Sequence, residues 1–335
     1  MQKLSRKEQV QKAISMQEPE YVPVLYFNGD RNSSDVILID IVRHFAGNGN
    51  DVSEWGFVWE RHDETMGQPK EPLLKSWDDF RKLHIPDAFD KSRFSDVEST
   101  RKQYGDDRYY IASLALSGFT LMTFLRGFED TLSDLYEEQE SLTKLADAVF
   151  GFEESIIGQL PEYGFDAVAF FDDWGTQSNL IVSPTMWRHF FKPRYKKQFE
   201  LAHKNGLKVF FHCCGYIYDI IPDLIEIGVD ILNISQPNLF DIENLGRDFG
   251  GKVCFVCPVS YQTTSLSGTK GDIYRDVRLL VDNLGCYSGG LIGYVEEYHS
   301  IGLSDENYCH CVNAFRELGE YKKKPTRQNA GRHRV

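Results

Sequence analysis

Leu207-Lys208-Val209-Phe210-Phe211-His212-Cys213-Cys214-Gly215 is a short, mostly apolar run that ends abruptly in an imidazole, two thiols and a glycine. The segment Leu207 to Phe211 reads as a buried β-strand. Residues two apart on a strand share a face, so His212 and Cys214 point together into whatever lies beyond its end. An imidazole and a thiolate meeting there suggest a transition metal, zinc above all. The competing reading is a small buried thiol beside a satisfied polar ring.

Working outward, the same kind of run recurs at Val22 to Phe27, Tyr109 to Leu114, Ala167 to Phe171, Val229 to Ile234, Val253 to Val256 and Leu291 to Val295. With Leu207 to Phe211 that makes seven strands. Helical patterns lie between them: Leu142, Leu145, Val149, Phe152 and Ile156 recur at three-to-four spacing, and Ile273, Val277, Leu280 and Leu284 form a second stripe that stops at Gly285. Ser5 and Glu8 form a capping box for an opening helix that carries Val10, Ala13 and Ile14. Ser183-Pro184 opens another helix, and Pro193 is expected to divide it from the next. From about Asp30 to Asp106 the pattern is irregular, which suggests long excursions and a short hairpin.

Strands alternating with helices favour an α/β chain folded as a (β/α)8 TIM barrel with an elaborated N-terminal region, one strand being hidden in that irregular stretch. A doubly wound sheet is the runner-up. The unusual polar residues decide for the barrel: Asn28, Asp172, Asp173, His212, Cys214, Gln236 and Glu297 all follow the C-terminal ends of strands, and in a barrel those ends converge on one mouth. Residues 1–320 are expected to form that single domain, with 321–335 a basic, frayed tail.

The net charge of −13 argues against nucleic acid or an anionic membrane as principal partner. No apolar stretch approaches a bilayer span and the N-terminus leads into a polar helix, so a cytoplasmic protein is expected. Seven cysteines without framework spacing fit reduced thiols. Cys254 and Cys257 are three apart on a strand and so face opposite sides. Cys309 and Cys311 are two apart on a helix and do not face one another. Met186, Trp187, Phe190 and Phe191 read as core, whereas Trp174 could line the mouth.

Phe171-Asp172-Asp173-Trp174-Gly175-Thr176-Gln177, then Ser183-Pro184-Thr185-Met186-Trp187, then His212-Cys213-Cys214-Gly215 and Pro222-Asp223-Leu224-Ile225-Glu226-Ile227-Gly228-Val229-Asp230 together resemble the uroporphyrinogen decarboxylase superfamily. More narrowly they resemble its methyltransferase branch, which includes the methylcobamide:coenzyme M methyltransferases. The resemblance extends from Val22-Pro23-Val24 through Arg126-Gly127-Phe128-Glu129 to Gly289-Gly290 and Glu306-Asn307, and leaves the region before Tyr109 poorly covered. It implies a (β/α)8 barrel. It also implies a zinc ion held by His212, Cys214 and a third ligand after Gly289-Gly290, commonly Cys in the family. Counting on from that pair puts Glu297 there, with His299 in reserve if the register slips by two. The set His/Cys/Glu keeps the two negative charges of His/Cys/Cys.

The resemblance therefore implies a methyltransferase that moves a methyl group between a small methyl ether or thioether donor, or a thiol acceptor, and a corrinoid (cobalamin) carried by a partner protein. The harder carboxylate ligand leans toward an oxygen-bearing donor. Asp172 and Asp173 are candidate hydrogen-bond acceptors for the His212 ring or the substrate, with capping of the following turn as the competing role. Gln177, Gln236 and Gln262 are candidates to orient substrate, together with Asn28 and Trp174. The chain is also open to homodimer formation. The arginine-rich signature of the decarboxylases is absent from Tyr26-Phe27-Asn28-Gly29-Asp30-Arg31, which disfavours the alternative of metal-free decarboxylation of a tetrapyrrole acid. A catalytically idle barrel serving as a binding subunit is the rival from another class.

Overall fold

Strands buried on both faces need a sheet covered on both sides, and the chain supplies it by closing eight parallel strands on themselves. The computed structural model describes residues 4–27, 29–43, 51–60, 67–296 and 301–321. The strands are β1 (Val24–Phe27), β2 (Val36–Asp40), β3 (Tyr109–Leu116), β4 (Ala167–Phe171), β5 (Lys208–Cys213), β6 (Ile231–Ile234), β7 (Cys254–Pro258) and β8 (Leu291–Glu296). They pair in the order β1-β8-β7-β6-β5-β4-β3-β2, with helices around the outside, which makes a (β/α)8 barrel.

The strand hidden in the irregular region is β2, Val36-Ile37-Leu38-Ile39-Asp40. It pairs with β3 along its whole length, whereas its edge toward β1 carries no ladder. One backbone bond, from the Asp35 N–H to the Val24 carbonyl at 2.9 Å, and several side chains close that seam. Asp35 Oδ2 accepts the Val24 N–H at 2.8 Å, Ser34 Oγ accepts the Tyr26 N–H at 3.0 Å, and Arg31 donates to the Leu38 carbonyl. The short hairpin is also present, as Trp59–Glu60 against Gln68–Pro69. Trp55 and Phe57 are buried, and Trp55 packs edge-on to Phe152 of the long helix Gln139–Ile157, so the excursion joins the outer core.

Alternation along the strands divides the core in two. Leu25, Leu38, Ile111, Ala169, Phe210, Ile231, Cys254, Val256, Ile292 and Tyr294 fill the barrel, while Val168, Phe170, Val209, Phe211, Leu232, Phe255 and Cys257 face the helices. Cys254 and Cys257 thus belong to different layers, and all seven cysteines are free. The opening helix Arg6–Ile14 has its capping box in place.

Three helices bear on the mouth: α1 (Gly118–Arg126), α2 (Gln139–Ile157) and α3 (Lys192–Lys204). Pro193 does not itself divide two helices. A π-helical turn, Trp187–Phe191, leads directly into α3, and Pro193 sits in the first turn of α3, where its missing N–H costs nothing. No helix among the described residues is long and apolar enough to cross a membrane.

Candidate metal centre at the barrel mouth

The register of β5 against β6 pairs His212 with Asn233 and Cys213 with Ile234, so Cys214 and Ser235 are the next neighbours. His212 and Asn233 have the parity of Phe210 and Ile231, which fill the barrel, so all four polar side chains lie on the inner face at its C-terminal end. Asn233 Oδ1 lies 2.6 Å from His212 Nδ1, and the Asn233 amide nitrogen donates to the Val256 carbonyl at 2.8 Å. That second bond orients the amide, so the imidazole carries its proton on Nδ1 and turns the Nε2 lone pair inward. Cys214 Sγ is 3.6 Å from Nε2 and accepts a hydrogen bond from Ser235 Oγ at 3.1 Å.

Asp173, just beyond β4, completes the group. Its Oδ1 accepts the Cys214 N–H at 2.8 Å and stands 3.8 Å from His212 Nε2. Single ligand atoms of Asp173, His212 and Cys214 all lie within 4.8 Å of one another. Zinc–nitrogen and zinc–sulfur bonds at a tetrahedral angle put N and S about 3.6 Å apart, so the His212–Cys214 pair fits such an ion without rearrangement. The electrostatics point the same way. Burial, then the Asp173 charge, hold the Cys214 thiol far above its ordinary range, and the Glu296 carboxylate pushes it further up. A thiol so placed becomes a thiolate only when a cation joins it.

Two loops hold this geometry by touching backbone to backbone. The Gly175 N–H donates to the Cys214 carbonyl at 3.2 Å and the Tyr216 N–H to the Thr176 carbonyl at 2.8 Å. A Cβ on Gly175 would stand 2.4 Å from the Gly215 carbonyl carbon, and one on Gly215, whose φ is +78°, would stand 2.1 Å from the Gly175 carbonyl carbon. The Trp174 N–H also donates to Cys213 Sγ at 3.1 Å.

Several residues expected at the mouth do other work. Asp172 is fully buried and points away from His212: it accepts the Phe119 and Thr120 N–H groups at 2.9 and 2.8 Å, the Thr120 hydroxyl at 2.8 Å and the Tyr195 hydroxyl. It therefore anchors the first turn of α1 and α3 to β4. Thr120 Oγ1 in turn accepts the Asp173 N–H at 3.0 Å, which places Asp173. The acceptor for the His212 ring is Asn233, in the role expected of Asp172 or Asp173. Trp174 does not line the mouth either, being fully buried in a cluster with Phe119, Trp187, Phe191 and Tyr195.

Gln236 is buried and its Oε1 accepts the Gly215 N–H at 2.6 Å, so it supports the Cys214 loop. Gln177 and Gln262 are exposed and joined at 3.2 Å, with Asn238 donating to Gln262 at 3.0 Å, which bridges three loops. Asn28, Glu297 and His299 lie outside the described residues. On β8, Glu296 shares the parity of Ile292 and Tyr294 and so belongs to the inner face.

Asn233, Ser235 and Tyr261 carry the site without having been singled out from the sequence. Asn233-x-Ser235 repeats the His212-x-Cys214 spacing on the neighbouring strand, a signal that parity could have exposed. Tyr261 follows β7, and burial, then the charges of Cys214, Asp173 and Glu296, push its phenol up to about 12. Nothing in its local sequence marks it.

A family model described as Uroporphyrinogen decarboxylase (URO-D) matches residues 57–290. No curated protein sequence matches the chain. Among solved structures, a methyltransferase from Methanosarcina mazei superposes with a TM-score of 0.74 at 14% identity, covering 94% of this chain and 99% of that one. The 3-keto-D-glucoside 4-epimerase of E. coli covers 74% of this chain and 96% of its own at 13% identity, with a TM-score of 0.44. The match over residues 57–290 spans well over half the sequence, and on that ground the chain belongs to the uroporphyrinogen decarboxylase family.

Proposed function

We propose that the protein is a zinc-dependent methyltransferase, transferring a methyl group between a small molecule and the cobalt of a corrinoid held by a partner protein. The observation that carries this reading is the His212–Cys214 pair, its imidazole fixed by Asn233 and its donor atoms at the separation a tetrahedral ion requires. The barrel shared with the Methanosarcina mazei methyltransferase is in keeping with it.

His212 Nε2 and Cys214 Sγ would hold the ion, with Asp173 as the third donor among the described residues and Glu297 as the further candidate. Bound zinc would supply Lewis acidity to the heteroatom that loses or gains methyl. The chain's own groups do the rest. Asn233 keeps the Nε2 lone pair free, Ser235 donates to the sulfur, and the crossed loops at Gly175 and Gly215 keep both ligands in register. Gln177 and Gln262 stand on the rim, where they could orient a small donor. The carboxylates gathered here favour an ether donor over a thiol acceptor, since a site already rich in negative charge disfavours a second thiolate.

Elemental analysis of the purified protein tests the reading, together with transfer of methyl from methoxylated or thiomethylated donors to cob(I)alamin. Stoichiometric zinc, lost in His212→Ala and Cys214→Ala along with transfer, is the expected result. Turnover of a porphyrinogen by metal-free protein would instead establish the decarboxylase alternative.

A further inference from the structure

We infer that the half-buried rings of Phe27 and Phe171 form a subsite for the methyl donor, and that the donor is an uncharged aryl methyl ether. The inference rests on the metal and methyl-transfer reading above. Phe27 ends β1 and Phe171 ends β4, and both share the parity of the barrel-filling residues, so their rings lie on the inner face at the mouth. Their centroids are 6.3 Å apart, and that of Phe171 is 4.8 Å from the His212 ring. A buried ring one layer lower backs each of them. Tyr294 stacks on Phe27 at 5.9 Å, its own hydroxyl donating to Glu296 Oε2 at 2.7 Å, and Phe210 lies 6.1 Å from Phe171. The wall is thus preorganised before any ligand arrives.

Two partly exposed phenyl rings beside a metal ligand suit a flat apolar partner, since aromatic rings favour offset or edge contact at centroid separations of about 4.5–7 Å. Charge narrows the choice. The strand ends bring Asp40 and Glu296 to the mouth, with Asp173 just beyond β4, and no barrel strand ends in lysine or arginine. An aryl ether bearing a carboxylate would meet like charge there, whereas an uncharged one meets none. In the transfer, the methyl carbon leaves the ether oxygen without the bonding electrons and takes its new bond from the electron pair of the corrinoid's Co(I), formally oxidised to Co(III). The old bonding pair stays on oxygen as a phenolate, which takes a proton from water on release. Phenols titrate near about 10 and water near about 16, so an aryl ether gives the better leaving group.

The test is calorimetry on full-length zinc-loaded protein with anisole, methanol and 4-methoxybenzoate as probes. Anisole should bind at least about tenfold more tightly than either of the others. Phe27→Leu and Phe171→Leu should each weaken anisole about three- to tenfold and leave methanol binding and zinc content unchanged. Glu296→Gln should narrow the gap between anisole and 4-methoxybenzoate. Methanol or 4-methoxybenzoate bound as tightly as anisole overturns the inference, as does anisole affinity that both leucine variants leave untouched. Tetramethylammonium binding more tightly than anisole overturns it too, because the rings would then serve a cation. If the protein takes up no zinc, the metal reading falls, and the same anisole measurements on metal-free protein still decide the subsite.

Discussion

Asn233 decides which nitrogen His212 offers: its Oδ1 lies 2.6 Å from Nδ1, while its own amide nitrogen is committed to the Val256 carbonyl at 2.8 Å. A ring free to flip would spend part of its time with a protonated nitrogen toward Cys214. Asn233→Ala should therefore weaken zinc binding by roughly 10–100-fold, whereas Asn233→Asp, which keeps the acceptor, should retain most of it. Competition against a chromogenic chelator measures both. Equal affinity in Asn233→Ala and wild type would show that the ring needs no external orientation.

The crossed loops make a steric prediction. Gly206 has a φ of +76° with nothing within 4 Å of an added Cβ, so Gly206→Ala incurs backbone strain alone, about 1 kcal/mol. Gly215 has nearly the same φ, +78°, but its Cβ would fall 2.1 Å from the Gly175 carbonyl carbon. Gly215→Ala must therefore push the two loops apart and should cost several kcal/mol, losing the metal site as well. Urea unfolding of the two variants separates strain from collision. Similar midpoints would mean that the loops part without penalty.

Alternating strand and helix patterns carry seven of the eight strands because doubly buried strands need continuous apolar runs. β2 is as apolar as the others. Its neighbours Ser34-Asp35 before it and the irregular stretch after it hide it, and its partner β3 lies some 70 residues further on. The pairing of His212 with Cys214 follows from strand parity and was legible. Parity puts Asp172 and Asp173 on opposite faces, but the doubly buried run of β4 does not mark which face is the inner one: Asp173 shares the parity of Ala169 and turns to the mouth, whereas Asp172 faces the helices and satisfies the first turn of α1. Tyr261 owes its place to the course of the loop after β7, which no local spacing encodes.

Buried carboxyls beneath the mouth set a pH limit on stability. Burial pushes Glu153 on α2 from 4.5 up to about 8, with the neighbouring Asp172 charge adding to the shift, and Gly118 N–H and Gln198 Nε2 donate to its oxygens at 2.8 and 2.6 Å. The folded chain thus keeps a proton that the unfolded chain loses. This stabilisation is complete below pH 4.5 and is lost as the pH rises through about 8. Glu153→Gln should flatten the fall in stability across that window. Gln198 can accommodate the change, since its Oε1 is buried without a partner and can turn to accept the new amide. Stability curves measured from pH 5 to 9 that run parallel in variant and wild type would show that Glu153 is ionised throughout.

Asp173 holds two posts at once, hydrogen-bonding the Cys214 N–H at 2.8 Å and standing 3.8 Å from His212 Nε2, and substitution can separate them. Asp173→Asn keeps an oxygen for the Cys214 N–H but removes the charge, so the loop should stay in place while zinc affinity falls. Asp173→Ala removes both, and the orphaned N–H should lower stability by about 1–3 kcal/mol as well. Unfolding midpoints and zinc competition, read side by side on the two variants, give the answer. If Asp173→Asn binds zinc as tightly as wild type, the carboxylate serves only to anchor the Cys214 loop. The third donor must then come from beyond the end of β8, where Glu297 would be the residue to substitute next.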